Sequence, residues 1–239
     1  MRSALGAGAL LSAALLVLGA ASATPAATTA AAPLPARMAD TGGGTQLITA
    51  VAPEPSSTTG TVTWWDLRHG HWVRAGSVAA RFGAKGLVEG ASRKQSTNTT
   101  PTGLYDLPYA FGIKAAPPET RYKYRPVQRS SWWCEDNASR SYNRWTQPRP
   151  ADCRASESEH LVSYPTQYAY ALVIGFNYHE RVHGRGAGIF LHVNGRGATA
   201  GCVSVPVDAM RRILAWVRPW SEPHIAIGTA GGGTAITRY

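Results

Sequence analysis

Two side chains with the right chemistry for acyl transfer lie close together near the C-terminal end of the chain. His192 sits at the end of the apolar run GIFLHV, and Cys202 follows after the short loop NGRGATAG. A cysteine becomes a nucleophile when a base or a positive charge helps it shed its proton, and an imidazole is the usual base. Glycines at 195, 197 and 201 allow the chain to fold back, so that a base at a strand end reaches a thiol ten positions later. Gly201 permits a sharp turn in front of Cys202 and leaves nearby amides as donors to a developing oxyanion. A helix starting soon afterwards could also favour a thiolate, if its N-terminus faces the sulfur. Against this stands the plainer expectation of a buried small cysteine and a hydrogen-bonded structural histidine.

The N-terminus bears on that choice. Residues 1–23 (MRSALGAGALLSAALLVLGAASA) carry one early positive charge, an apolar stretch and small residues at Ala21-Ser22-Ala23, the plan of a secretory signal peptide cleaved before Thr24. Export places the chain where disulfides persist, so three cysteines suggest one bridge and one free thiol. Cys134 and Cys153 share a segment rich in Trp, Pro, Asn and Arg, and joining them would stabilise it by roughly 3 kcal/mol on the chain-entropy argument. Cys202 is then the thiol left free, and a thiol kept reduced in an oxidising compartment favours the catalytic reading.

The elements that must position these groups read as mainly β with one helix. Length and an apolar fraction of 44% suit one substantial domain. Residues 24–45, rich in Ala, Thr, Pro and Gly, read as a flexible linker, and the folded body spans 46–228. Short β-type runs at 46–52, 61–67, 71–76 and 103–109 are separated by turn signals, His69-Gly70 among them. Residues 113–160 are polar, Pro-rich and aromatic and read as an excursion or flap. Two near-continuous apolar runs, 168–176 and 188–193, predict buried strands. Met210, Ile213, Leu214 and Val217 repeat at helical spacing, which predicts a helix over 207–217 begun at Pro206 and stopped by Pro219. HIAIG (224–228) closes the body, and 229–239 reads as a loosely ordered Gly-rich tail. No run of 18 or more apolar residues follows the first two dozen positions.

The segment from His192 through Thr199-Ala200-Gly201-Cys202 resembles the active-site motif of the L,D-transpeptidase (YkuD-like) catalytic domain. In that family a His precedes a Ser/Thr-x-Gly-Cys element. Thr100-Pro101-Thr102-Gly103-Leu104-Tyr105 is similar to the family's upstream TPxG-x-[FY] strand. The resemblance implies a β-sandwich-like fold of mixed sheets. It also implies 3→3 cross-linking of peptidoglycan stem peptides through a thioester on Cys202, with His192 as general base and amides around Gly201 stabilising the oxyanion. Ala200 and Ser204 stand where many members have His and Arg or Asn, and the loop after His192 is short. The pattern therefore marks a divergent, short-loop branch. Resolution of the thioester by water, giving an L,D-carboxypeptidase, and a catalytically silent wall-binding module are the alternatives.

Other candidates are secondary. Thr199 and Asn194 flank the motif as possible substrate contacts. Trp133, Tyr142, Asn143 and Arg144 either line a groove over the thiol, with Arg144 meeting a peptide carboxylate, or pack a flap pinned by the 134–153 bridge. His179 and His183 (HERVH) lack the order and the helix of a metalloprotease motif. No metal and no cofactor is expected. The net charge of +10 comes from dispersed basic residues and no nucleic-acid reader appears, so anionic wall polymers are the simpler partner.

Overall fold

The computed structural model describes residues 31–239. The expected signal peptide and the first part of the expected linker lie outside them. Fourteen strands and one α-helix run along the described residues. β1 (Gln46–Ala52), β2 (Thr59–Arg68) and β3 (His71–Arg81) are followed by β4 (Leu87–Glu89), β5 (Thr100–Asp106), β6 (Ala110–Gly112) and β7 (Tyr124–Pro126). Then come β8 (Trp132–Cys134), β9 (Arg144–Thr146), β10 (Ser158–His160), β11 (Ala171–Val173), β12 (Phe190–Val193) and β13 (Val203–Val205). Helix α1 (Val207–Trp216) precedes the last strand, β14 (His224–Thr229). Eleven strands form one mixed sheet in the order β4-β5-β14-β1-β2-β3-β13-β12-β11-β6-β7, and β10-β8-β9 form a small antiparallel sheet.

The large sheet folds over α1. Ile48 and Ala50 of β1, Leu191 and Val193 of β12, and Val203 and Val205 of β13 all reach the same core as Met210, Ile213 and Leu214 of the helix. The register pair of Ser204 with Arg81, extended by a bridge between Gly83 and Thr199, joins the half that carries β12 and β13 to the half that carries the β1–β3 meander. The His69-Gly70 turn has both residues at positive φ, 50° and 78°, and closes the β2–β3 hairpin, which matches the twist of the strands it joins.

The two terminal segments differ from their expectation. From Leu34 the linker is ordered, and so is the Gly-rich tail. β1 runs parallel to β14 and is buried on both faces, so the face turned away from α1 needs a cover. Ile236 of the tail supplies it with Leu34 and Met38, packing on Leu47 and Ala226. The Ala39 amide donates to the Thr237 carbonyl at 3.1 Å, and the Asp40 amide to Tyr239 at 3.0 Å. Composition indicated little to bury on either side. What it hid is that two weakly apolar stretches together cover one strand pair.

The run 168–176 is buried except at half-buried Gly175 but is regular strand only over Ala171–Val173, because Gln167–Ala169 turn as a short 3₁₀ helix before it.

Candidate active site

β12 lies between antiparallel β11 and parallel β13, with Leu191 opposite Val203 and His192 opposite Ser204. Strand alternation sends Leu191 and Val193 into the helix-side core. Phe190, His192 and Cys202 therefore turn to the other face, where Phe111, Trp133 and Tyr168 form a second core around Phe190 and Cys202.

The loop joining the two strands is held by its own side chains. Thr199 Oγ1 donates to the Cys202 carbonyl at 2.6 Å and accepts the Gly201 amide at 3.1 Å. Gly201 has φ +146°, and a Cβ there would lie 2.9 Å from the Thr99 carbonyl oxygen and 2.8 Å from Arg93 Nη2. Only glycine fits at that turn. Its amide is taken by Thr199, so the free donor at the turn is the Cys202 amide, which has no acceptor among the described residues.

The thiol is held by backbone. Phe190 N–H donates to Sγ at 3.3 Å, and Sγ–H donates to the Gly188 carbonyl at 3.3 Å. Burial pushes the Cys202 thiol well above its ordinary range, and the nearby Glu159 adds to the shift. The resting group is a neutral thiol, so a base must take its proton before it can attack. The helix does not help either, since β13 separates Cys202 from α1 and the sulfur faces the opposite core.

His192 is also neutral. Burial lowers it to about 4, against a smaller opposing effect of its hydrogen bond to Val193. That bond runs from Nδ1 to the Val193 carbonyl oxygen at 2.7 Å. A carbonyl only accepts, so Nδ1 carries the proton and Nε2 keeps its lone pair. The third member of the site is thus a main-chain carbonyl. No hydrogen bond joins His192 to Cys202 in this state, yet both line one open cleft of about 230 Å³ with Tyr168, Glu159 and Thr199.

A family model for the L,D-transpeptidase catalytic domain (YkuD) matches residues 59–228. The chain belongs to that family. No curated protein matches this chain. Among solved structures, Bd1075 of Bdellovibrio bacteriovorus aligns at 17% identity with a TM-score of 0.39, over 77% of this chain and 48% of that one. The aligned part is about half of that chain's length. YkuD domains act on peptidoglycan in the cell wall.

Several expected substrate contacts lie away from this YkuD cleft. Asn194 accepts from Ser204 Oγ at 2.8 Å and lines a separate groove with Arg81 and Pro206. Trp133, Tyr142, Asn143 and Arg144 pack the flap, which is pinned by the Cys134–Cys153 disulfide. Trp133 meets Phe190 edge to face at 4.8 Å and donates Nε1–H to Asn143 Oδ1 at 2.9 Å. Asn143, at φ 52°, also accepts the Gly188 amide at 3.1 Å and donates to the carbonyls of Phe176 and Asn177. Tyr142 donates to Gln95 Oε1 at 2.8 Å and accepts the Gly186 amide. Arg144 lies over the Tyr178 ring at 4.3 Å and bonds the Tyr178 carbonyl. Their side chains are engaged within the flap, and none lines the Cys202–His192 cleft. His179 pairs with Asp106 at 2.9 Å, and His183 bonds the Asn137 carbonyl.

The residues that do face Cys202 from the flap are Glu135 and Glu159, with Arg93 before β5. Sequence gave no sign of them. None of the three lies in a motif or at a spacing that marks it.

Proposed function

We propose that this chain is a cysteine acyltransferase of the exported cell-wall machinery, an L,D-transpeptidase that joins peptidoglycan stem peptides through a thioester on Cys202. The observation that carries the reading is the common cleft of the Cys202 thiol and the unprotonated His192 Nε2. Both partners rest uncharged, so attack couples to proton transfer rather than drawing on a standing thiolate. Turning the S–H from Gly188 toward the cleft lets Nε2 take the proton as Sγ bonds to the carbonyl carbon ahead of a terminal D-Ala.

The Cys202 amide donates to the oxyanion. Collapse breaks the C–N bond, His192 returns the proton to the leaving amine, and free D-Ala departs from an acyl-thioester. An acceptor amine then bonds to the acyl carbon, gives up protons through His192 and restores the thiol. Thr199 holds the turn that presents Cys202, and Gly201 permits it. Anionic wall polymers are a non-specific partner for the net charge.

Intact-mass spectrometry after carbapenem treatment, with muropeptide products compared with and without an added amine, tests the reading. The expected result is an adduct on Cys202, absent from Cys202→Ala, and an amide product that grows with amine. Shortened peptides alone, whatever the amine, would assign the enzyme to hydrolysis. An unmodified Cys202 together with unchanged muropeptides would remove the catalytic assignment.

A further inference from the structure

A second cavity, of about 370 Å³, meets the first at Cys202, and its wall carries charge of both signs. Arg93, Gln95, Glu135 and Glu159 line it beside Gly188 and Gly201. Arg93 is only 5% exposed. Its Nε donates to the Thr99 carbonyl at 2.8 Å and its Nη1 to the Arg185 carbonyl at 3.2 Å. Nη2 lies against Gly201 and has no hydrogen-bond partner among the described residues. That edge opens to the cavity and can donate to an anion there.

The acidic wall is likewise unmet. Glu135 makes no side-chain hydrogen bond or ion pair among the described residues, and Glu159 takes one bond, from the Tyr168 hydroxyl. Gly188, at φ +63°, makes room for Glu135, since a Cβ there would lie 2.1 Å from Oε1. Arg93 forms no salt bridge with either glutamate. A guanidinium and two carboxyls that share one cavity without pairing suit a small ligand that carries both signs.

We propose that this cavity binds the zwitterionic end of an amino acid, its carboxylate on Arg93 Nη2 and its ammonium on the side of Glu135 and Glu159. Burial raises both carboxyls, Glu159 to about 7, and Glu159 further raises Glu135 against the opposing pull of Arg93, so an ammonium beside them would favour their charged forms. The inference deepens the acyl-transfer reading and rests on it in one respect: the amine that resolves the thioester would arrive here with its own carboxylate held.

The test is a saturation-transfer NMR titration of D-alanine, ethylamine and propionate against the full chain and against Cys202→Ala. D-alanine should bind at least tenfold more tightly than either single-charge analogue, to both proteins. Glu135→Gln and Glu159→Gln should each weaken D-alanine about tenfold and leave propionate unchanged, and Arg93→Lys should weaken D-alanine and propionate alike. If Arg93→Lys fails to fold, because two loop carbonyls lose their donor, the two Gln variants carry the test. Equal binding of the three probes, or D-alanine binding untouched by both Gln variants, overturns the proposal. Binding to Cys202→Ala needs no thioester, so loss of acyl transfer with intact binding defeats only the earlier reading. Loss of binding with an intact Cys202 adduct defeats only this one.

Discussion

Strands β12 and β13 lie inside an eleven-stranded sheet, with Leu191, Val193, Val203 and Val205 packed on α1 behind them. Strands β8, β9 and β10 form a three-stranded sheet with one apolar face, through which Trp133 and Trp145 reach Phe111 and Phe190. The first region presents the thiol and the imidazole, the second the two carboxyls. A wide buried sheet holds its side chains by area removed from water, at about 25 cal/mol per Å². A small insert has less area and is held by discrete ties: the Cys134–Cys153 bridge, the two-pronged Asp136–Arg154 pair at 2.7 Å, and the four hydrogen bonds of Asn143. Chemistry and stability should therefore separate in the first region and travel together in the second.

The largest effect tests the first half of that contrast. Cys202→Ala should lower turnover by on the order of 10⁴-fold or more, and His192→Ala by 10²–10⁴-fold. The Cys202→Ala melting temperature should stay close to wild type, and His192→Ala should lose far more rate than stability. A His192→Ala protein that unfolds instead would make the imidazole a structural residue and break the contrast.

Removing the bridge tests the second half. The double substitution Cys134→Ala/Cys153→Ala should cost roughly 3 kcal/mol, confined to the insert. Hydrogen exchange should quicken over residues 132–160 and stay slow over 190–193 and 203–205. Uniform loss of protection would mean that the insert and the large sheet unfold as one unit.

The two regions were also unequally legible. In the large sheet, side-chain alternation and helical spacing are local signals, so the run ending at His192 and the stripe from Met210 to Val217 could be read directly. The motif then tied Cys202 to His192 and to Gly201. The insert is written in long-range partners: Asn143 matters because it meets Trp133, Phe176, Asn177 and Gly188, and no spacing encodes that. Aromatic and basic residues there were consistent with a groove or with packing, and packing is what the structure shows. Nothing in the sequence marks Glu159, because only the fold brings it to Cys202. The ionisation of the site is equally illegible in the sequence, since it is set by burial that only the fold creates.

Asn143 is the point where the regions couple. It holds the Gly188 amide, and the Gly188 carbonyl accepts the hydrogen bond of the thiol. Asn143→Ala leaves the Trp133 indole and the Gly188 amide without acceptors inside the fold and should cost about 2 kcal/mol. It should also lower acylation of Cys202 at temperatures where the protein is still folded. Denaturant melts beside carbapenem acylation rates would check both, and stability loss with unchanged acylation would uncouple the insert from the thiol.

The smallest effect separates the regions by pH. His192 titrates at about 4 in the fold, below the ~6.5 of an unfolded histidine, so the unfolded chain binds the extra proton in between. Its contribution is complete above about pH 6.5 and is lost as pH falls toward 4. Glu159 behaves oppositely. It titrates at about 7 in the fold against ~4.3 unfolded, so the folded chain binds the extra proton, and stability declines as pH rises through that range. Tyr168, Glu135, Cys202 and Arg93 face that carboxyl, and none of them supplies an ion pair. Glu159→Gln keeps the shape and the acceptor for Tyr168 while removing the charge. Its melting temperature relative to wild type should therefore be higher at pH 8 than at pH 5. A difference that is flat with pH would mean the carboxylate is already compensated in the empty protein, leaving nothing for a ligand's ammonium to relieve.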